Sequence, residues 1–229
     1  MPARSPKKSR PVNRPPVAME ENSTNLWSIH GMDDVYFQRG AQITLWSIMG
    51  GLQVAALLTQ VSILWEQLQA GRWYLSLYLL DALLIIALIW AASSWEGLVL
   101  KWSITIPTIL TQLLGNFALA IACLVIINPA GWALSLAISA TCNWLHHILL
   151  SRSGAWGPFP KEMIKALKAN LWIYGLWSLL AFAAAVHMYL VPSAFVQAIW
   201  GLVGMAVIVG GLFRQHHDME RDRKEFGIP

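Results

Sequence analysis

The sequence predicts an all-α, polytopic membrane protein: six transmembrane helices as three antiparallel hairpins, with both termini inside. Three observations predict it. From Trp102 to Ser151 there is no Asp, Glu, Lys or Arg, and at ~1.5 Å per helical residue each arm of that stretch reaches or exceeds the ~30 Å hydrocarbon core of a bilayer. Of 229 residues, 56% are hydrophobic and only 12% charged, about half the ~25% charge that covers a soluble domain. When the chain is threaded through six spans, every Lys and Arg except Arg72 falls on one face, and such an asymmetry marks the cytoplasmic side.

Each element follows from local chemistry. Residues 1–25 are basic and Pro-rich, with Lys7, Lys8, Pro15 and Pro16; with little to bury they are expected to form a disordered cytoplasmic tail. No apolar run follows closely enough to make the tail a signal peptide. The sequon Asn22-Ser23-Thr24 lies on the inner side, where glycosylation does not occur. Residues 26–40, opening with LWSIHGMDDVYF, mix aromatics with Asp33 and Asp34 and read as an interfacial segment.

The bundle, residues 41–213, contains the spans. Ala41–Trp65 and Trp73–Trp95 are joined at Gly71-Arg72. Trp102–Ile127 and Trp132–Ser151 are joined at Asn128-Pro129-Ala130-Gly131, where Pro lacks the helical donor and Gly permits a positive φ. Ala169–Leu190 and Ser193–Phe213 are joined at Val191-Pro192. In the inner loop Ser151–Lys168, Lys161, Lys165 and Lys168 share a helical face suited to anionic headgroups. Residues 214–229 continue as a charged cytoplasmic helix or tail, with Glu220 and Lys224 at i,i+4. The 13 Trp suit the two interfaces: Trp46, Trp95, Trp102, Trp144 and Trp172 inside, Trp65, Trp73 and Trp132 outside.

A net charge of +4 and a pI near 9.2 could suggest nucleic acid, but the cations sit in loops between apolar spans and follow the positive-inside pattern instead. The expected partners are the lipid bilayer and other membrane subunits or a second copy of the chain. No cofactor is expected. Cys123 and Cys142 lie at depths ~14 Å apart on neighbouring arms, too far for a disulfide.

Asp81 is the one charged side chain deep within a span. A carboxylate there costs several kcal/mol unless it is paired, protonated or beside a polar cavity. One reading is a proton or cation pathway through Asp81 and His187; the other is a neutral acid hydrogen-bonded between helices to a Gln or Asn. Gln112 and Asn116 share a helical face near mid-membrane, where they either line a solute path or bind helices together. His146 and His147 close the fourth span and His216 and His217 the sixth, with Asp218 and Glu220 beyond. Imidazoles and carboxylates at one depth can build a metal site, yet adjacent His residues point ~100° apart on a helix and no H-E-x-x-H spacing is present.

Two small-residue faces, Ser47/Gly51/Ala55 and Ala133/Ala137/Thr141, and the glycines Gly201, Gly204, Gly210 and Gly211 favour close helix contact. Asn128-Pro129-Ala130 resembles the water-channel tripeptide, but there is no second copy and it occupies an outer turn. Phosphate loops, nucleophile elbows and paired catalytic carboxylates are absent. The expected function is a non-catalytic subunit or assembly factor of a larger complex, of secretion, conjugation, transport or respiratory type, in a plasma membrane taken to be a bacterial inner membrane. The alternatives are a transporter using Asp81 and an enzyme with a His/Asp/Glu centre on the cytoplasmic face.

Overall fold

The computed structural model describes residues 35–99, 106–152 and 161–226. Every regular element among them is an α-helix: α1 (Val35–Thr59), α2 (Val61–Gln69), α3 (Leu75–Val99), α4 (Ile106–Leu124), α5 (Pro129–Arg152), α6 (Lys161–Leu190) and α7 (Ala194–Phe226). The expected tail, residues 1–25, lies outside the described residues, as does the expected interfacial segment up to residue 34; residues 35–40 belong to α1.

The expected first span is two helices rather than one. The interruption falls at Gln60, whose N–H donates to the Leu57 carbonyl at 3.0 Å. The Thr59 hydroxyl bonds back to Ala56 O at 2.7 Å and Gln60 Nε2 donates to Thr59 Oγ1. Side chains that compete for backbone carbonyls in this way locally disturb a helix. At the far end of α2, Gly71 adopts φ 84°. Its N–H bonds to Leu68 O while Arg72 N–H reaches Gln67 O, the pair of bonds that closes a Schellman turn and requires a left-handed residue between them.

The expected four-residue break at Asn128–Gly131 lies three residues earlier, at Val125–Asn128, between the end of α4 and the start of α5. Asn128 caps α5 by accepting the Gly131 N–H at 3.2 Å, and Pro129 takes the first helical position, where its missing donor costs nothing. Gly131 is therefore helical, and Gly71 is the only described residue with a positive φ. Ser193 caps α7 in the same way, its hydroxyl accepting from Val196 N–H at 3.2 Å.

The helices close into a ring in the order α7, α3, α1, α4, α5, α6. The tightest seams are α5 on α6 and α4 on α5, whereas α6 and α7 scarcely touch although consecutive in the chain. The third hairpin therefore diverges, and α7 packs on α3 instead. Small residues set this geometry. A Cβ at Gly201 would lie 2.9 Å from Leu77, and one at Gly211 3.0 Å from Trp177, so α7 approaches its neighbours closely only because these positions lack side chains. On the α5–α6 seam, Thr141 and Ser178 share a hydroxyl contact of 2.6 Å beside buried Ala137.

Five helical stretches are long and apolar enough to cross a membrane: Thr44–Gln69, Leu75–Ala92, Ile106–Leu124, Asn170–Leu190 and Ala194–Arg221. The chain is thus an all-helical, multi-pass membrane protein. α5 is less apolar than these five because it carries Ser135, Ser139, Thr141, Asn143, His146 and His147, and Ser135, Ser139 and both histidines are buried within the ring.

Candidate functional site

Asp81 projects from α3 toward α7. Its side chain is 0% exposed, and a Cβ at Gly204 would sit 2.7 Å from its Oδ2. Neither carboxyl oxygen has a hydrogen-bond partner among the described residues. The amide partner expected for a structural Asp81 is not beside it, and neither is His187. That histidine accepts a hydrogen bond from Trp200 Nε1 at 3.0 Å, tying α6 to α7 near their connection. One turn outward of Asp81, Tyr78 donates to the Gln197 carbonyl at 2.6 Å and meets Trp132 edge to face.

Of the two amides of the expected solute path, Asn116 acts as a strut between helices, whereas Gln112 contributes its backbone carbonyl and lines the cavity enclosed by α3, α5, α6 and α7. Gln53 Nε2 donates to Asn116 Oδ1 at 2.9 Å, joining α1 to α4, and Asn116 Nδ2 returns to Gln112 O on its own helix. Asn143 likewise bonds back to Ser139 O. A buried amide whose bonds are met internally has little left for a passing solute. Cys123 and Cys142 are free thiols, and Cys142 lies at the depth of Gly115 rather than of Cys123.

The four histidines do not converge. His146 is buried on α5 with Nδ1 3.0 Å from Thr108 O, and His147 Nδ1 lies 2.7 Å from Asn143 O while its ring packs on Tyr174. His216 and His217 face outward on α7. Asp218 is engaged by Arg214 at 3.4 Å and Arg221 at 3.0 Å. Among the described residues no three His, Cys, Asp or Glu side chains gather as a metal site would require.

Two features were not assembled by sequence reasoning. The first is a cavity of about 210 Å³ enclosed by α3, α5, α6 and α7, occupying the space left by the divergence of α6 from α7. Its walls are aliphatic at Ile85, Leu136, Leu180 and Val207, while Gln112, Ser139 and Asn143 line the side toward α4 and α5. Its inner end is polar, and there Arg214 donates to Asn170 Oδ1 at 3.2 Å across the α6–α7 gap. The second concerns the small-residue faces. The Ala133/Ala137/Thr141 face is used against α6, and Gly201 and Gly204 are used against α3. Ser47, Gly51 and Ala55 instead point outward from α1, with nothing within 4 Å of a Cβ at Gly51. The spacing of four was visible in the sequence, but only the ring shows which of these faces is free. The chain matches no protein-family model, no curated protein and no solved structure.

Proposed function

We propose that the chain is a six-span protein of a plasma membrane, with both termini cytoplasmic, that serves as a non-catalytic subunit or assembly factor of a larger complex of secretion, conjugation, transport or respiratory type. α5 is the sixth span in this reading. Its 24 residues extend ~36 Å, it carries no charge before Arg152, and it lies between α4 and α6. The orientation follows from the distribution of Lys and Arg.

The observation that carries the functional reading is the open Ser47/Gly51/Ala55 face. In hydrocarbon, helices associate where small residues let backbones approach, and among the described residues nothing lies within 4 Å of a Cβ at Gly51 on this face. The Gln53–Asn116 pair, spent on joining α1 to α4, points the same way. The test is purification of the tagged full chain in mild detergent, comparing the wild type with Gly51→Leu. Loss of a co-purifying membrane protein or second copy in the variant, with the monomer's own stability kept, supports the proposal. A wild type that purifies alone contradicts it.

A second reading, a proton- or cation-coupled transporter, is favoured by the buried and unpartnered Asp81 carboxyl. Intramembrane ionisable groups are costly and commonly functional. Solute flux in liposomes that Asp81→Asn abolishes would favour this reading over the first.

A further inference from the structure

We infer that the cavity between α6 and α7 is a phospholipid site, holding one acyl chain between the helices and the lipid phosphate at Arg214. The inference is independent of the subunit reading. From Trp200 at one end to Arg214 at the other, the cavity follows α7 for ~21 Å, deeper than the ~15 Å of hydrocarbon in one leaflet. Its walls on α3, α6 and α7 are aliphatic at Ile85, Leu180 and Val207, so a methylene chain would gain apolar contact along that side. The backbones of α6 and α7 are separated and joined by side chains at His187–Trp200, Trp177–Gly211 and Asn170–Arg214; between these crossings a diacyl lipid would seat one chain inside while the other remains in the bilayer.

The inner end has matching chemistry. Arg214 and Asp218 are the charged residues lining the cavity apart from its histidines, and Asp218 is also bonded to Arg221. Arg214, held in place by Asn170 and Asp218, keeps further N–H donors for a phosphate oxygen. The corner falls at the cytoplasmic end of the spans, where anionic headgroups concentrate.

The test uses the full chain in nanodiscs with three photoreactive probes carrying the same acyl chain: phosphatidylglycerol, the free fatty acid and diacylglycerol. With phosphatidylglycerol, the expected crosslinks fall on the cavity residues Trp177, Leu180 and Ala181, in excess over the outward-facing Leu176 and Leu179. Labelling by diacylglycerol, which lacks the phosphate, should be about tenfold weaker, and Arg214→Ala should reduce the phosphatidylglycerol signal to that level. Ala181→Trp, which fills the cavity, should remove the inward crosslinks, whereas Leu179→Trp should leave them. Labelling of the outward residues alone in the wild type would overturn the site, with no dependence on how any variant folds. Equal labelling by diacylglycerol would overturn the phosphate assignment, and stronger labelling by the fatty acid would overturn the phospholipid in favour of a carboxylate ligand.

Discussion

Replacing Gly204 with Ala perturbs the contact on which the α3–α7 seam turns. The new methyl would lie 2.7 Å from Asp81 Oδ2, closer than carbon and oxygen approach without overlap, and the fully buried Asp81 carboxyl must shift to admit it. Overpacking of this kind costs ~1–3 kcal/mol. Ala also gains ~1 kcal/mol over Gly in a helix interior, so the net change is ~0–2 kcal/mol destabilising. Gly210 on the same helix supplies the control, since a Cβ there meets nothing within 4 Å. Gly210→Ala should be neutral or stabilising by up to ~1 kcal/mol, which makes the difference between the two variants ~1–3 kcal/mol. Unfolding in mixed micelles with increasing denaturing detergent, followed by circular dichroism, measures both. If the clash is the cause, adding Asp81→Ala to Gly204→Ala removes it, and the double-mutant cycle shows a coupling of ~1 kcal/mol or more. Equal stability for Gly204→Ala and Gly210→Ala, together with zero coupling to Asp81, would refute the placement of Asp81 against α7.

Other substitutions test the remaining seams. Asn116→Leu strands the buried Gln53 amide and should cost ~1–3 kcal/mol; adding Gln53→Leu should recover part of that loss in the same unfolding assay. Thr141→Val removes the hydroxyl contact with Ser178 and should destabilise by ~0.6 kcal/mol, with ~1.7 kcal/mol as an upper value. In oriented membrane vesicles, tags at either terminus should be modified only from the cytoplasmic side, while a cysteine placed at Arg72 should react only from the opposite side.

Much of the fold was legible because a membrane demands long apolar helices and turn chemistry marks their ends. Gly71, Asn128-Pro129 and Val191-Pro192 each stand at a helix boundary, as their backbone preferences require. The break at Gln60 was not legible, because nothing in a Thr-Gln pair forces a helix to stop. Neighbour relations were less legible still. α3 and α6 show no sided pattern of polar residues along their whole lengths, so no polar stripe announces an inward face, and the sequence offered no reason for α7 to leave its hairpin partner for α3. The small-residue spacings were visible, but partnered and open faces look alike until the ring is closed. Asp81 stood out as an anomaly from its residue type alone. That it faces a glycine, rather than an amide or His187, depends on tertiary packing that a linear reading does not carry. The inner histidines show the same limit: sharing a depth does not mean sharing an azimuth, and His216 and His217 face away from the ring that buries His146 and His147.

The central claim, that the α1 face is a subunit contact, is tested most directly by a photoreactive amino acid at Ala55 in intact membranes, with Phe182 on the outward side of α6 as the control. A discrete protein adduct from Ala55, absent from Phe182 and lost when Gly51→Leu is added, is the predicted result. Crosslinking of Ala55 to lipid alone, at the level seen for Phe182, would contradict it.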